Sequence, residues 1–149
     1  MEIKTHPPVK VLYSSHQTTI PQLNEFVGHV AKALYAEAAR LGVLASGPQY
    51  WVYHGMDGNP ATVFTLEISL PVQGEINGSA FSVKELPAFK YLSHWHQGAW
   101  DKMPETYGEI LQHIEQHKIP MTDECREIYY NVDFASGDNN RVEIQLGIL

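Results

Sequence analysis

The chain has 149 residues, a length typical of one domain that buries a core without needing a disulfide or a metal. Its formal net charge is −7, and ten scattered basic residues against seventeen acidic ones argue against a nucleic-acid-binding protein, because phosphate contacts need clustered Lys and Arg. A single cysteine, no signal-peptide pattern and no apolar run of membrane-spanning length together predict a cytoplasmic protein without an internal disulfide.

The first half of the chain is predicted to run strand, helix, strand, strand. An apolar strand at 9–15 precedes a helix near 20–41, in which apolar residues recur at helical spacing and which Gly42 ends. Strands at 49–54 and 62–70 follow, joined by a turn rich in Gly, Asn and Pro. This half therefore reads as one β-α-β-β unit.

The second half repeats the same order of elements. After a linker at 73–82, a strand at 88–96 and a helix near 102–118 precede strands at 126–132 and 141–148. Pro120 stops the second helix from continuing.

The halves also match in sequence, which indicates a duplicated unit. VLYSSHQTTIPQLNEFVG, which starts at residue 11, aligns eighty positions later with YLSHWHQGAWDKMPETYG, so that Gly28 meets Gly108. LEISLPV at 66–72 matches VEIQLGI at 142–148. We therefore predict an α+β fold with antiparallel sheets, in which two β-α-β-β units are related by a pseudo-twofold axis. One domain at 1–149 would have repeat halves at about 1–73 and 80–149.

The stretch DECREIYYNVD, residues 123–133, contains a carboxylate in an apolar strand. Alternation places Glu127 and Tyr129 on one face and Ile128 and Tyr130 on the other. If Ile128 and Tyr130 pack under the helix, Glu127 faces away from it. Glu127 then either lies on a solvent-exposed face of the sheet or points into a cavity that receives a cation. Aligning QYWVYHG with REIYYNV makes Tyr50 the equivalent of Glu127 in the first repeat. The alignment therefore predicts that Tyr50 and Glu127 lie on the same face of the sheet.

The histidines do not indicate a metal site. His113 and His117 are four apart on the second helix, but no third ligand is evident and Glu115 points elsewhere, so a solvated helix face is favoured. His94 and His96 alternate on a strand, and His96 matches His16, which favours a structural role. No phosphate-binding loop or catalytic triad is present, so we predict no metal and no cofactor.

The sequence resembles the GyrI-like, or AraC-type effector-binding, domain family, which also forms the drug-sensing domain of multidrug-responsive transcription regulators. The resemblance spans nearly the whole chain. It rests on the duplicated plan, on LPAFKYLSHWHQG and HWHQGAW before the second helix, and on REIYYN followed by NRVEIQLGI. It implies an aromatic groove between the halves, with a glutamate at the bottom that neutralises lipophilic cations. Glu127 occupies that position.

The resemblance implies a set of ligand-binding residues around this carboxylate, each aromatic having core packing as its alternative. The set is Glu127, Tyr129, Tyr50, Trp95, Trp100 and Tyr91. The implied partner is a lipophilic cationic small molecule, with neither nucleic acid nor membrane bound and any protein partner unspecified.

Three functions follow from the resemblance. The first is a standalone binding protein that senses or sequesters hydrophobic, cationic compounds, since a strand beginning near residue 9 leaves no room for a preceding helix-turn-helix. The alternative is a hydrolase that opens cyclopropane-bearing genotoxins, with Glu127 placing a water. A further alternative is an interaction protein like the family's gyrase inhibitor. We favour the binding protein over the enzyme.

Overall fold

The computed structural model describes residues 1–149. It contains two helices, α1 (Val27–Leu41) and α2 (Met103–His117). Short 3₁₀ turns precede them at Ile20–Glu25 and Trp100–Lys102, and a third lies at Gly137–Asn139. Neither helix is long and apolar enough to cross a membrane.

Nine strands form one antiparallel sheet. They are β1 (Glu2–His6), β2 (Val9–Thr18), β3 (Leu44–Ala45), β4 (Tyr50–His54), β5 (Phe64–Gln73), β6 (Ser82–Leu86), β7 (Phe89–Gln97), β8 (Met121–Asn131) and β9 (Arg141–Ile148). The sheet order is β1-β7-β9-β8-β4-β5-β2-β6, with β3 paired to β5. Because β4 and β8 meet at the centre with equivalent strands on either side, the pseudo-twofold axis passes between them. The predicted fold class is confirmed; the limits of the repeat halves stay a prediction.

Two edge strands cross from one half of the sheet to the other. β1 directly precedes β2 in the chain but pairs with β7, and β6 directly precedes β7 but pairs with β2. Lys4 on β1 contacts Glu143 on β9 at 3.3 Å, and Lys84 on β6 pairs with Glu67 on β5 in the equivalent way. The sequence prediction missed β1 and most of β6 because EIKTH and SVKEL are short and charged, as edge strands commonly are.

The main core lies between the helices and one face of the sheet. Leu34 of α1 and Ile110 of α2 are fully buried there against sheet residues such as Leu66 and Ile144. The opposite face is also partly closed, because the sheet curls into a half-barrel. His6 of β1 reaches Tyr50 of β4 at 3.1 Å across three intervening strands. This second face holds a smaller buried cluster of Val11, Tyr50, Val52, Leu86 and Ile128.

Candidate functional site

An open groove of about 1450 Å³ lies between the two helices and the central strands. Its floor comes from β4 and β8, and its walls come from α1, α2 and the 3₁₀ turns before them. Most of the lining side chains are hydrophobic. A groove of this size and polarity is the usual form of a small-molecule site.

Trp51 and Glu127 are neighbours at the centre of the floor. They are cross-strand partners of β4 and β8. The registers also make them equivalent by pseudo-symmetry, because Val52 pairs with Glu67 in the first half and Ile128 pairs with Glu143 in the second. The same position thus carries an indole in one half and a carboxylate in the other.

The carboxylate of Glu127 is held by three tyrosine hydroxyls. Its Oε1 accepts hydrogen bonds from Tyr53 at 2.8 Å and from Tyr129 at 2.7 Å, and its Oε2 accepts one from Tyr107 of α2 at 2.6 Å. Glu127 is only 4% exposed, and none of the ion pairs in the structure includes it. Its negative charge is therefore solvated by phenol dipoles rather than balanced by a cation.

The surroundings of the three hydroxyls keep them protonated, so that each can act as a hydrogen-bond donor. Burial, followed by the charge of Glu127, raises the pKa of Tyr53 and Tyr129 well above the ordinary value. Burial also raises the pKa of Tyr107, with added contributions from Cys125 and Glu127. Since the one proton of Tyr107 goes to Glu127, the Cys125 thiol at 3.4 Å is the donor in the contact between them. Burial in turn raises the pKa of that thiol.

Aromatic rings continue the floor into one wall. The ring centroid of Trp51 lies 4.5 Å from that of Tyr129, and Trp100 meets Tyr129 edge-on at 5.6 Å. The Trp51 indole N–H donates to Gln49 Oε1 at 3.2 Å, and Gln49 Nε2 donates to the Ala31 carbonyl on α1 at 2.8 Å. The indole is thereby fixed in orientation with its polar atom already paired.

His96 positions the turn that carries Trp100. One ring nitrogen, Nε2, lies 3.0 Å from the Ala99 carbonyl, and Nδ1 lies 2.7 Å from the Thr106 hydroxyl. A carbonyl can only accept, so Nε2 carries the proton and Nδ1 accepts from Thr106. The HWHQGAW segment therefore ties the end of β7 to α2, with Trp100 between them.

His113 and His117 stack on the surface of α2 with ring centroids 4.1 Å apart. His117 Nδ1 lies 2.9 Å from the backbone carbonyl of His113. No group of three or more metal-ligating side chains occurs in the structure.

The six residues predicted to bind a ligand fall on both faces of the sheet. Glu127, Tyr129 and Trp100 come together in the groove. Tyr50, Tyr91 and Trp95 lie on the opposite face, where Tyr50 meets His6, Tyr91 stacks on Phe89, and Trp95 packs between Tyr130 and Arg141. That any of the six binds a ligand stays a prediction.

Two expectations about faces are wrong. Glu127 points towards the helices, since Tyr107 of α2 contacts it, and Tyr50 does not share its face. The alignment of QYWVYHG with REIYYNV used an offset of 77, whereas the strand registers give 76. A slip of one residue moves every side chain of a strand to the other face.

Sequence reasoning missed three groove residues: Trp51, Tyr53 and Tyr107. The offset of 76, already visible in the LEISLPV and VEIQLGI match, sets Trp51 opposite Glu127 and Tyr53 opposite Tyr129. Tyr107 recurs at helical spacing with Met103, Ile110 and Ile114 in the second helix, a pattern that indicates only that it faces inwards.

The fold and the groove together define a small-molecule-binding domain. The model of the GyrI-like small molecule binding domain matches all of residues 1–149, so the protein is a member of that family. No curated protein sequence matches the chain.

Solved structures share this fold at low sequence identity. The C-terminal domain of EcmrR is 16% identical with a TM-score of 0.80, over 99% of this chain and 96% of that domain. SAV2435 bound to tetraphenylphosphonium is 14% identical with a TM-score of 0.70, over 99% and 93%. A hydrolase encoded by lin2189 from Listeria innocua is 13% identical with a TM-score of 0.67, over 99% and 91%. These similarities establish the fold alone.

Proposed function

We propose that this protein binds hydrophobic cations in the groove and acts as a sensor or sequestering protein for them. The observation that carries the proposal is the buried, unpaired carboxylate of Glu127 in an aromatic groove. A buried charge without a counter-ion is costly, and a cation entering the groove would supply the missing charge.

Aromatic and acidic side chains of the lining favour the same class of ligand. Faces of Trp51, Trp100 and Tyr129 offer cation–π attraction of about 0.5–2 kcal/mol each. Near one end of the groove the acidic side chains Asp57 and Asp123 add further negative charge. SAV2435, which shares the fold, is bound to tetraphenylphosphonium, a lipophilic cation.

The test is a titration with tetraphenylphosphonium. We expect micromolar affinity, about −8 kcal/mol, and a loss of at least about tenfold in Glu127→Gln, which keeps the shape of the side chain and removes its charge. Glu115→Gln, on the exposed surface of α2, is the matched control, because it removes the same charge outside the groove.

A ligand of opposite charge completes this test. Tetraphenylborate has nearly the shape of tetraphenylphosphonium but is an anion, so a groove that recognises charge should reject it. Equal affinity for both ions, or unchanged phosphonium affinity in folded Glu127→Gln, would show that the carboxylate is not the ligand group.

A free acceptor position on Glu127 favours the hydrolase as a second candidate function. Oε2 of Glu127 accepts only one hydrogen bond within the protein, which leaves room for a water to be held against a bound substrate. We expect such an enzyme to turn over a cyclopropane-bearing substrate and Glu127→Gln to abolish that turnover. If mass spectrometry detects no product although the substrate binds, the hydrolase alternative is contradicted and only the binding function remains.

A further inference from the structure

We propose that Asn77 is a site of spontaneous deamidation, at which the folded protein converts the asparagine to a mixture of aspartate and isoaspartate. Asn77 lies in the loop that connects β5 to β6, outside the groove and outside every helix and strand. Gly78 follows it in the chain and supplies the attacking nitrogen. This reaction needs no ligand and is independent of the cation-binding function proposed above.

The reaction consumes one water and releases one ammonia. The backbone nitrogen of Gly78 loses its proton and bonds to Cγ of Asn77, and the Cγ–Nδ2 bond breaks as ammonia leaves. Water then opens the resulting cyclic imide at one of its two carbonyl carbons. Attack at Cγ gives aspartate, whereas attack at the backbone carbonyl carbon gives isoaspartate, in which Cβ has become part of the main chain.

Both reacting groups are free in the structure. Asn77 and Gly78 are exposed, and neither the side chain of Asn77 nor the N–H of Gly78 makes a hydrogen bond within the protein. Gly78 has a φ of +71°, and a Cβ built there meets no atom within 4 Å. Because glycine carries no Cβ, nothing on this residue shields its nitrogen from the neighbouring amide.

The loop is anchored on the far side of the reacting bond. The Gly78 carbonyl oxygen accepts from Arg40 Nη2 at 3.3 Å. The Ser79 hydroxyl and the Ala80 N–H then donate to the carboxylate of Glu37 at 2.6 and 3.3 Å. No hydrogen bond holds the backbone of residues 75–77. The Asn77 side can therefore rotate towards the Gly78 nitrogen, as ring closure requires.

Asp57 and Gly58 form a matched pair in which the same ring closure is blocked. Gly58 is also exposed and has a φ of +83°. The carboxylate of Asp57, however, accepts from the Asn59 N–H at 2.9 Å and from the Thr62 hydroxyl at 3.0 Å, so both of its oxygens are committed. The hydrogen bond from Asn59, followed by that from Thr62, also lowers the pKa of Asp57. An ionised carboxylate is a poor target for a nitrogen nucleophile.

No other asparagine combines these features. Asn77 is the only asparagine that glycine follows. Asn59 precedes Pro60, whose nitrogen has no proton to lose. Asn131 and Asn139 donate their side-chain amides to groups of the loop between β8 and β9. The sequence and the structure therefore select the same residue.

Conversion at Asn77 changes both the charge and the length of this loop. It adds one negative charge to a chain whose formal net charge is −7. The new carboxylate arises next to the residues that Glu37 and Arg40 anchor. Isoaspartate also adds one atom to the main chain just before β6. The charge makes the product separable from the starting protein by anion exchange.

The experiment ages the full-length wild type at neutral pH in two parallel samples. One is unfolded in guanidinium chloride, and the other is folded in sodium chloride of the same ionic strength. Glutamate-specific proteolysis releases residues 76–85, in which Asn77 is the only asparagine, and mass spectrometry follows this peptide. We expect its acidic forms to accumulate in the folded protein within about threefold of the unfolded rate, because an unanchored loop segment opens at little free-energy cost. Isomerisation at Asp57 should instead be slower in the folded sample.

Two variants serve as controls. Folded Asn77→Ser should accumulate no new acidic species on anion exchange. Gly78→Ala should slow the reaction by at least about tenfold in the unfolded chain, where the strain of alanine at positive φ plays no part, because the methyl group crowds the nitrogen.

Three results would overturn the assignment. An unchanged 76–85 peptide in the folded protein, while the unfolded chain deamidates there, would show that the fold protects Asn77. Equal accumulation of acidic species in folded Asn77→Ser would place the reaction at another residue. An unslowed Gly78→Ala would show that the missing Cβ of residue 78 does not govern the reaction.

Discussion

At the scale of single residues, the site depends on hydroxyl groups that are held in their protonated form. Three tyrosines point their only donor at one carboxylate, and their surroundings oppose ionisation of each phenol. A buried carboxylate is thereby held without an ion pair to a basic side chain, which would compete with a cationic ligand. The arrangement places a hydrogen-bonded carboxylate at the centre of the groove floor.

The raised tyrosine pKa predicts a particular dependence of stability on pH. The pKa of Tyr53 is higher in the folded protein than in the unfolded chain, so its contribution is full below about pH 10 and is lost as pH rises above that value. Tyr53→Phe should be less stable at pH 8 by about 1 kcal/mol, through the lost hydrogen bond, but should lose less stability between pH 9 and 11. Urea unfolding at several pH values measures both effects.

The control for this alkaline effect is Tyr13→Phe, which removes a phenol from the far face of the sheet. It should keep the wild-type slope of unfolding free energy against pH. A wild-type slope in Tyr53→Phe as well would show that the buried phenol of Tyr53 is not the source of the alkaline instability.

The sequence alone could not fix which face of the sheet each strand residue takes, because side chains alternate between the two faces with a period of two residues. Glu127, Tyr129 and Trp100 were placed in the site by family resemblance, and the structure brings them together in the groove. Composition and alternation alone left Glu127 undecided between solvent and cavity. Trp51 was missed by a one-residue register error, because only the pairing of β4 with β5 and β8 fixes which face a side chain takes.

At the scale of elements, the helices carry a feature that their packing does not require. Gly28 in the first turn of α1 and Gly108 in the second turn of α2 both line the groove. A Cβ added at either position meets no atom within 4 Å. Glycine inside a helix costs stability relative to alanine, so neither residue is explained by close packing.

We therefore expect Gly108→Ala to stabilise the fold by about 0.5–1 kcal/mol, because alanine has less backbone entropy to lose in a helix. Gly28→Ala should behave in the same way. The measurement is the urea midpoint at constant m-value. A lower midpoint would mean that the space beside α2 is filled in solution.

Gly147 in β9 should respond in the opposite direction. A Cβ there would lie 2.7 Å from the backbone carbonyl oxygen of Glu124 and would also meet the Thr122 hydroxyl. The close approach comes from the irregular pairing of β8 with β9 between Met121 and Cys125. We expect Gly147→Ala to destabilise the protein by about 1–3 kcal/mol or more, since backbone cannot move aside cheaply. Thermal unfolding of Gly147→Ala and Gly108→Ala under the same conditions measures the difference in their stability. Equal melting temperatures for the two variants would contradict both expectations.

The helices and the apolar strands could be predicted because their periodicity is strong and local. The first helix begins as a 3₁₀ turn rather than as α-helix, with Pro21 in that turn. The edge strands could not be predicted in the same way. Their five-residue segments are held by pairing with β7 and β2, which lie far away in sequence, and their own composition resembles a polar linker.

At the scale of the whole molecule, the crossed edge strands join the two halves into one unit. Each half of the sheet ends in an edge strand that directly precedes the opposite half in the chain, and each crossing is accompanied by a buried carboxylate paired with a lysine. The floor of the groove adds a second connection, since β4 and β8 pair along its length and Tyr53 of the first half bonds Glu127 of the second. The site therefore exists only when both halves are folded.

This coupling predicts that a substitution in one half lowers the stability of both. Lys84→Ala removes the partner of the buried Glu67 in the first half of the sheet, and leaving that carboxylate short of a donor should cost about 1–2 kcal/mol. Hydrogen exchange followed by mass spectrometry should then show the same loss of protection in peptides from β5 and from β9, because a cooperative domain opens as a whole. Lys32→Ala, which removes an exposed lysine from α1, is the matched control and should leave both peptides unchanged. Faster exchange in β5 with wild-type protection in β9 would show that the halves open independently, and that the crossed strands do not bind them into one cooperative unit.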